Sequence, residues 1–179
     1  FSVRLYPLDE RAHINQGKQP VTFPVSQNGN VYKLVPASPV KAFGRIGIAI
    51  RVNDYFDNNA SPCGIYSALL TVNDEELFSY QLGRISFALN RYLNSHIDYA
   101  EYVRKGVHFQ RLWREKGNRM NIYHSDRSRG ILKVDQETNS LCTLSLTDVA
   151  GNLSELSFTI LGQELQSDTP EEKAGELFS

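Results

Sequence analysis

Ile46, Ile48, Ile50 and Val52 alternate with Gly47, Ala49, Arg51 and Asn53. A period of two residues sorts apolar groups onto one face of a strand and onto no face of a helix. The same alternation constrains two later hairpins. Residues 65–82 read as one around Asn73-Asp74-Glu75-Glu76, and pairing Val72 with Phe78, Leu70 with Tyr80 and Ala68 with Leu82 keeps every apolar residue on one side. That register requires an odd loop of three or five residues. In the second, Cys142, Leu144 and Leu146 face Leu156, Phe158 and Ile160 if residue 146 lies opposite 156, with the turn centred on Gly151. Ala150-Gly151-Asn152 supplies residues that tolerate positive φ.

Further strands are expected at 3–6, 21–25, 31–35, 107–113, 120–123 and 131–134, punctuated by Gly, Pro, Asn and Asp. Many short strands with such turns predict an all-β sandwich rather than a βαβ fold. One short helix is expected: Ser95 and Asp98 resemble a capping box, 99–104 is helical, and Gly106 suits the stop. The β-domain is expected over 1–162, and the polar segment 163–179 reads as a tail or linker. Hydrophobic residues make up 41% of the 179, enough for a core. No apolar run approaches the roughly 20 residues of a membrane span, so a soluble globular chain is expected. A net charge of −1 gives no general pull toward nucleic acid. The chain opens at Phe1 with no charged-then-apolar leader, as expected of a processed or excised segment.

No complete catalytic motif is present. His13, His96, His108 and His124 are isolated, without the paired spacing of zinc ligands, and no serine sits in a GxSxG elbow. Asn53 to Asn59 gathers oxygen ligands, with Asp54, Asp57 and Asn59 the calcium candidates, but the spacing misses the EF-hand pattern and an Asx-rich turn is preferred. The expectation is no cofactor and no metal. Cys63 and Cys142 form either one disulfide or two reduced core thiols, and both readings stay open. Asn152-Leu153-Ser154 is a formal glycosylation sequon.

Two stretches concentrate functional groups. Residues 104–133 carry nine Lys or Arg against Glu115 and Asp126, a local charge of +7 interleaved with Phe109, Trp113 and Tyr123. Arg111, Trp113, Arg114, Arg119 and Tyr123 are the binding candidates for an anionic polymer. Against this stands a plainer reading, with the cations on outward positions and the aromatics in the core. The second stretch, 91–99, is read as a hydrogen-bonded corner built from Arg91, Tyr92, Asn94, His96, Asp98 and Tyr99, with Arg91 or His96 pairing Asp98 or a carbonyl.

Several segments together resemble a known accessory domain: Leu5-Tyr6-Pro7-Leu8, Gly44-Arg45-Ile46-Gly47-Ile48, Cys63-Gly64-Ile65-Tyr66-Ser67, and the run Arg91-Tyr92-Leu93-Asn94-Ser95-His96-Ile97-Asp98-Tyr99. Gly117-Asn118-Arg119-Met120-Asn121-Ile122-Tyr123, Arg129-Gly130-Ile131 and Asp148-Val149-Ala150-Gly151-Asn152-Leu153-Ser154 complete the set. The likeness is to the immunoglobulin-like β-sandwich beside the catalytic domain of exported lysostaphin-type zinc endopeptidases of Bacteroidetes. It covers residues 1–162, and 91–99 is its most specific part. The HxxxD and HxH metal signatures of that family are absent from this chain, so no catalytic residue is carried over. The resemblance implies an immunoglobulin-like sandwich with its short helix in a long crossover, an exported location and a neighbouring peptidase domain. It also implies a non-catalytic role in positioning, shielding or targeting a peptidoglycan endopeptidase. The alternative expectation is a free-standing glycan- or cell-wall-binding module using 104–133.

Overall fold

The computed structural model describes residues 1–37, 39–51, 65–82, 96–125, 127–148 and 150–166. Within them the chain is mostly strand with one short helix, as the alternation predicts. In order, the strands are β1 (Ser2–Pro7), β2 (His13–Ile14), β3 (Val21–Asn28), β4 (Val31–Leu34), β5 (Val40–Arg51), β6 (Ile65–Val72) and β7 (Glu75–Gln81). Helix α1 (Tyr99–Lys105) follows, then β8 (Gln110–Arg111), β9 (Tyr123–Ser125), β10 (Leu132–Val134), β11 (Asn139–Asp148) and β12 (Leu153–Gly162).

Five of the described strands close a ring. β5 pairs with β1, β1 with β3, β3 with β4, and β4 with β12. β12 then returns to β5 in parallel through Ile160↔Val40 to Gly162↔Ala42, giving a closed five-strand barrel. Closure removes exposed edges from those strands. From β12 an antiparallel run continues outward through β11, β6, β7 and β9. β5 is the spine of the barrel, bonding along its length to β12, β2, β10, β1 and β8. Gly44 sits among these exchanges at φ +83°, where a Cβ would lie 2.7 Å from Ala12 Cα. Only glycine meets both demands.

Both hairpins keep the predicted parity and shift the register by two residues. In the first, Leu70 faces Phe78 and Ala68 faces Tyr80. The turn is the two-residue Asn73-Asp74, both at positive φ, not an odd loop. The odd residue enters as a bulge: Thr71 faces Glu76 and Leu70 faces Phe78, so Leu77 is the extra one. In the second, Leu144 faces Leu156 and Cys142 faces Phe158. A five-residue loop runs from 148 to 152, centred on residue 150 instead of Gly151. Asp148 ties it, its Oδ1 accepting from the Ala150 and Asn152 amides at 2.8 and 2.9 Å. The side chain of Asn152, the sequon asparagine, donates to Asp148 Oδ2 at 2.8 Å. These bonds, that of the Asn152 side chain foremost, hold the Asp148 carboxyl below its ordinary range.

The apolar faces meet in one main core that includes Val3, Leu5, Ile46, Ile48, Ile50, Leu70, Phe78, Leu144, Leu156 and Ile160. Cys142 belongs to it as a free buried thiol, pushed up to about 12 by burial and so held protonated. Cys63 lies outside the described residues, as do the calcium candidates Asp54, Asp57 and Asn59. After β12, Gln163 remains tied down, its amide donating to Ala42 O at 2.9 Å and its carbonyl accepting from His13 Nε2 at 2.8 Å. Of the polar segment, 163–166 are described and 167–179 lie outside.

Candidate functional site

The period of two that sends Val3 and Leu5 inward sends Arg4 and Tyr6 to the outer face of β1. There Arg4 lies beside Ala49 and Tyr6 beside Gly47 on β5. Because positions 47 and 49 carry almost no side chain, the outer face is a trough, and Trp113 lies in it. A Cβ on Gly47 would come within 3.0 Å of both the Trp113 ring and Leu8. Tyr6 packs on Trp113 with ring centres 5.3 Å apart, and Phe109, Ala49 and Ile131 complete a second, smaller core.

The segment 96–113 closes over this trough. Ile97 bridges Gln110, β8 pairs with β5, and the Leu112 amide donates to Ile48 O at 2.8 Å. Helix α1 spans 7 residues, too few to stand alone in water. It begins at Tyr99 as predicted with Asp98 as its N-cap, Ser95 of the expected capping box lies outside the described residues, and Gly106 in the left-handed region ends it as predicted. Asp98 Oδ1 accepts from the Glu101 amide at 3.1 Å, and its Oδ2 accepts from the Tyr6 hydroxyl at 2.7 Å. One carboxylate thus caps the helix and ties it to β1. Burial, reinforced by the bond to Asp98, raises the Tyr6 phenol far above its ordinary value.

Glu101 is the second anchor. Its buried carboxylate meets Arg4 at 3.1 Å, Lys105 at 3.0 Å, and Arg104. Its bonds to Arg104 and Lys105, in that order, hold it down to about 2. Arg4 also lies over the Phe109 and Tyr6 rings, at 5.2 and 5.4 Å.

Of the pairings left open by the sequence, Arg91 or His96 with Asp98 or a carbonyl, that of His96 with Asp98 does not form, and Arg91 lies outside the described residues. The carboxylate is already occupied by Tyr6 and the helix amide, and His96 turns instead toward the β7–β9 side. It packs edge-on against Tyr80 at 4.7 Å, and its Nδ1 lies 3.0 Å from the Tyr123 hydroxyl. Its Nε2 is buried with no hydrogen-bond partner among the described residues. Burial pushes the ring down to about 4, with the Arg111 charge acting in the same direction, so it is neutral at neutral pH. Tyr99 is exposed on the helix; Arg91, Tyr92 and Asn94 lie outside the described residues.

The binding candidates divide among separate environments. Trp113 is 3% exposed, and its Nε1 donates to Glu115 at 3.1 Å. Arg111 pairs with the same Glu115 oxygen at 3.1 Å and lies 5.3 Å from the Trp113 ring. Arg114 Nε donates to Asn118 O at 2.6 Å. The Tyr123 hydroxyl meets His96 and Asn118, and burial raises it to about 12. Of the five, Arg119 is the exposed one. The aromatics therefore follow the plainer reading, facing inward and not toward a polymer. Sequence reasoning missed Arg4, Glu101 and Gln110 as members of the corner. The available signal was the outward phase of Arg4 and Tyr6 beside the small residues at 47 and 49.

Among the described residues, no three His, Cys, Asp or Glu side chains gather as a metal site. Chemically, the arrangement can hold the segment 96–113 on the barrel: Asp98 is engaged by Tyr6 and the helix amide, and Glu101 by Arg4, Arg104 and Lys105. No protein-family model, curated protein or solved structure matches the chain. Fold and site together define an all-β protein with a closed five-strand barrel and a polar brace on its outer face.

Proposed function

We propose that the chain is a non-catalytic accessory domain that positions, shields or targets an exported peptidoglycan endopeptidase carried by a neighbouring domain. The observation that carries this reading is how Asp98 and its neighbour Glu101 are used. Asp98 belongs to the most specific part of the resemblance, and it serves as a cap and cross-tie; Glu101 serves as a charge anchor. Such a corner supports a scaffold role. The immunoglobulin-like assignment belongs to the same proposal, supported by the antiparallel run from β12 through β11, β6 and β7 to β9. Export rests on the resemblance alone. No helix among the described residues is long and apolar enough to cross a membrane.

The alternative, a free-standing glycan- or cell-wall-binding module working through 104–133, has weaker support. With Trp113 buried and Tyr123 engaged, it would rest on exposed cations such as Lys116, Arg119 and Arg127.

The native polypeptide that contains this segment provides the test. Its intact mass and N-terminal sequence are expected to reveal a longer product bearing HxxxD and HxH motifs, with peptidoglycan cleavage by that product and none by this chain alone. A mature product beginning at or near Phe1, or cleavage by the isolated chain, would overturn the proposal.

A further inference from the structure

A separate concavity opens where the turn after β1, the glycine of β5 and strand β10 meet. Its volume is about 390 Å³, within the roughly 300–1,000 Å³ typical of small-ligand clefts. Phe43 and Ile131 form an apolar part of its wall. Arg45 and Lys133 are direct cross-strand partners in the β5–β10 pair, so both side chains leave the sheet on the same face. Like charges placed this way destabilise a sheet unless something compensates them.

The compensation within the fold is incomplete. Lys133 has Asp135 at 3.1 Å. Asp9 is engaged with backbone, its Oδ1 accepting from the amides of Arg11 and Ala12 and its Oδ2 from the amide of Arg45. The Arg11 guanidinium lies 5.5 Å over the Phe43 ring. Among the described residues, no carboxylate pairs with the guanidinium of Arg11 or of Arg45. Three cations and two carboxylates line the cleft, so one positive charge is left over.

We propose that this cleft binds a monocarboxylate attached to an apolar group, the chemistry shared by a peptide C-terminus behind an apolar side chain and by a small apolar acid. Guanidinium forks match a carboxylate in geometry. The single surplus charge suits a monoanion better than a phosphate dianion, and Phe43 with Ile131 receives the apolar group. The site goes beyond the accessory-domain reading and stands or falls without it.

The test uses the full 179-residue chain, titrated at low salt while amide chemical shifts are followed by NMR. The probes are an N-acetylated tripeptide of apolar residues with a free C-terminal carboxylate, its C-terminal amide, isovalerate and inorganic phosphate. The free-acid peptide is expected to shift the resonances of residues 43–45 and 131–133. Affinity is expected to fall about tenfold for the amide, and about tenfold in Arg45→Gln or Arg11→Gln. Both arginines are exposed, so the variants should unfold at or slightly above the wild-type temperature. Arg45→Lys, which keeps the charge and loses the fork, should fall between. A peptide that binds more tightly than isovalerate assigns the cleft to a chain terminus, and equal affinity assigns it to the small acid. No shift up to about 10 mM ligand, equal binding of the amide, tighter binding of phosphate, or unchanged affinity in both glutamine variants would overturn the proposal.

Discussion

The two faces of strands β1 and β5 are held by different physics. On the inner face Val3, Leu5, Ile46, Ile48 and Ile50 are fully buried among apolar neighbours, and their stabilisation is non-directional and roughly proportional to area. On the outer face Arg4, Tyr6, Gly47 and Ala49 meet a helix and an indole through a few directed bonds. Removing atoms inside loses contacts and leaves a cavity. Removing one outside strands a partner, and its cost depends on protonation. The apolar pattern thus shapes the barrel interior, and the directed bonds fix the segment 96–113 on its outside.

The largest effect is expected on the inner side. Phe78 is fully buried in the main core, and Phe78→Ala should lower unfolding free energy by about 3–5 kcal/mol in urea denaturation. A loss under about 1 kcal/mol would mean that this core is not close-packed.

Next comes the pH response of the brace. Unfolded His96 titrates near 6.5 and folded His96 near 4. Between those values the unfolded chain binds the extra proton, so stability is whole above pH 6.5 and declines as pH falls to 4, by about 3 kcal/mol. Glu101, held down to about 2 from 4.5, adds a further loss that begins near pH 4.5 and runs to about 2. Unfolding curves across pH 7 to 4, repeated in His96→Gln, provide the check, and a variant that keeps the wild-type slope would remove His96 as its source.

Asp98→Ala should cost about 2 kcal/mol, since it removes a helix cap and leaves the buried Tyr6 hydroxyl without its acceptor. A loss as large as that of Phe78→Ala would invert the comparison and make the outer face the main stabiliser. The smallest effects belong to the rim of the brace. Arg104→Gln and Lys105→Gln, at 65% and 56% side-chain exposure, should each change stability by less than about 1 kcal/mol, a change that shrinks as salt is added.

The β class, the two hairpins and the helix stop at Gly106 were legible in the sequence, because apolar alternation and glycine conformation are local signals. Parity was readable for the same reason, but the registers were not. A bulge at Leu77 and a two-residue turn satisfy parity as well as the odd loop inferred between Val72 and Phe78, and only tertiary packing selects between them. Barrel closure through β12 and β5 joins residues about 120 positions apart, and nothing local encodes it. The corner was visible as a concentration of polar groups at 91–99, yet its partners Tyr6 and Arg4 lie over 90 residues away. In the basic run both readings stayed open to the sequence, because charge density along the chain does not reveal which side of the strand each aromatic faces; Trp113 points into the trough that Gly47 leaves open.

The most direct measurement is a double-mutant cycle between Tyr6→Phe and Asp98→Ala, read from unfolding free energies. If Asp98 is a structural tie between the helix cap and β1, the two losses will overlap, with a coupling of about 1–2 kcal/mol. Losses that add to within about 0.5 kcal/mol would contradict the brace and free Asp98 for another role.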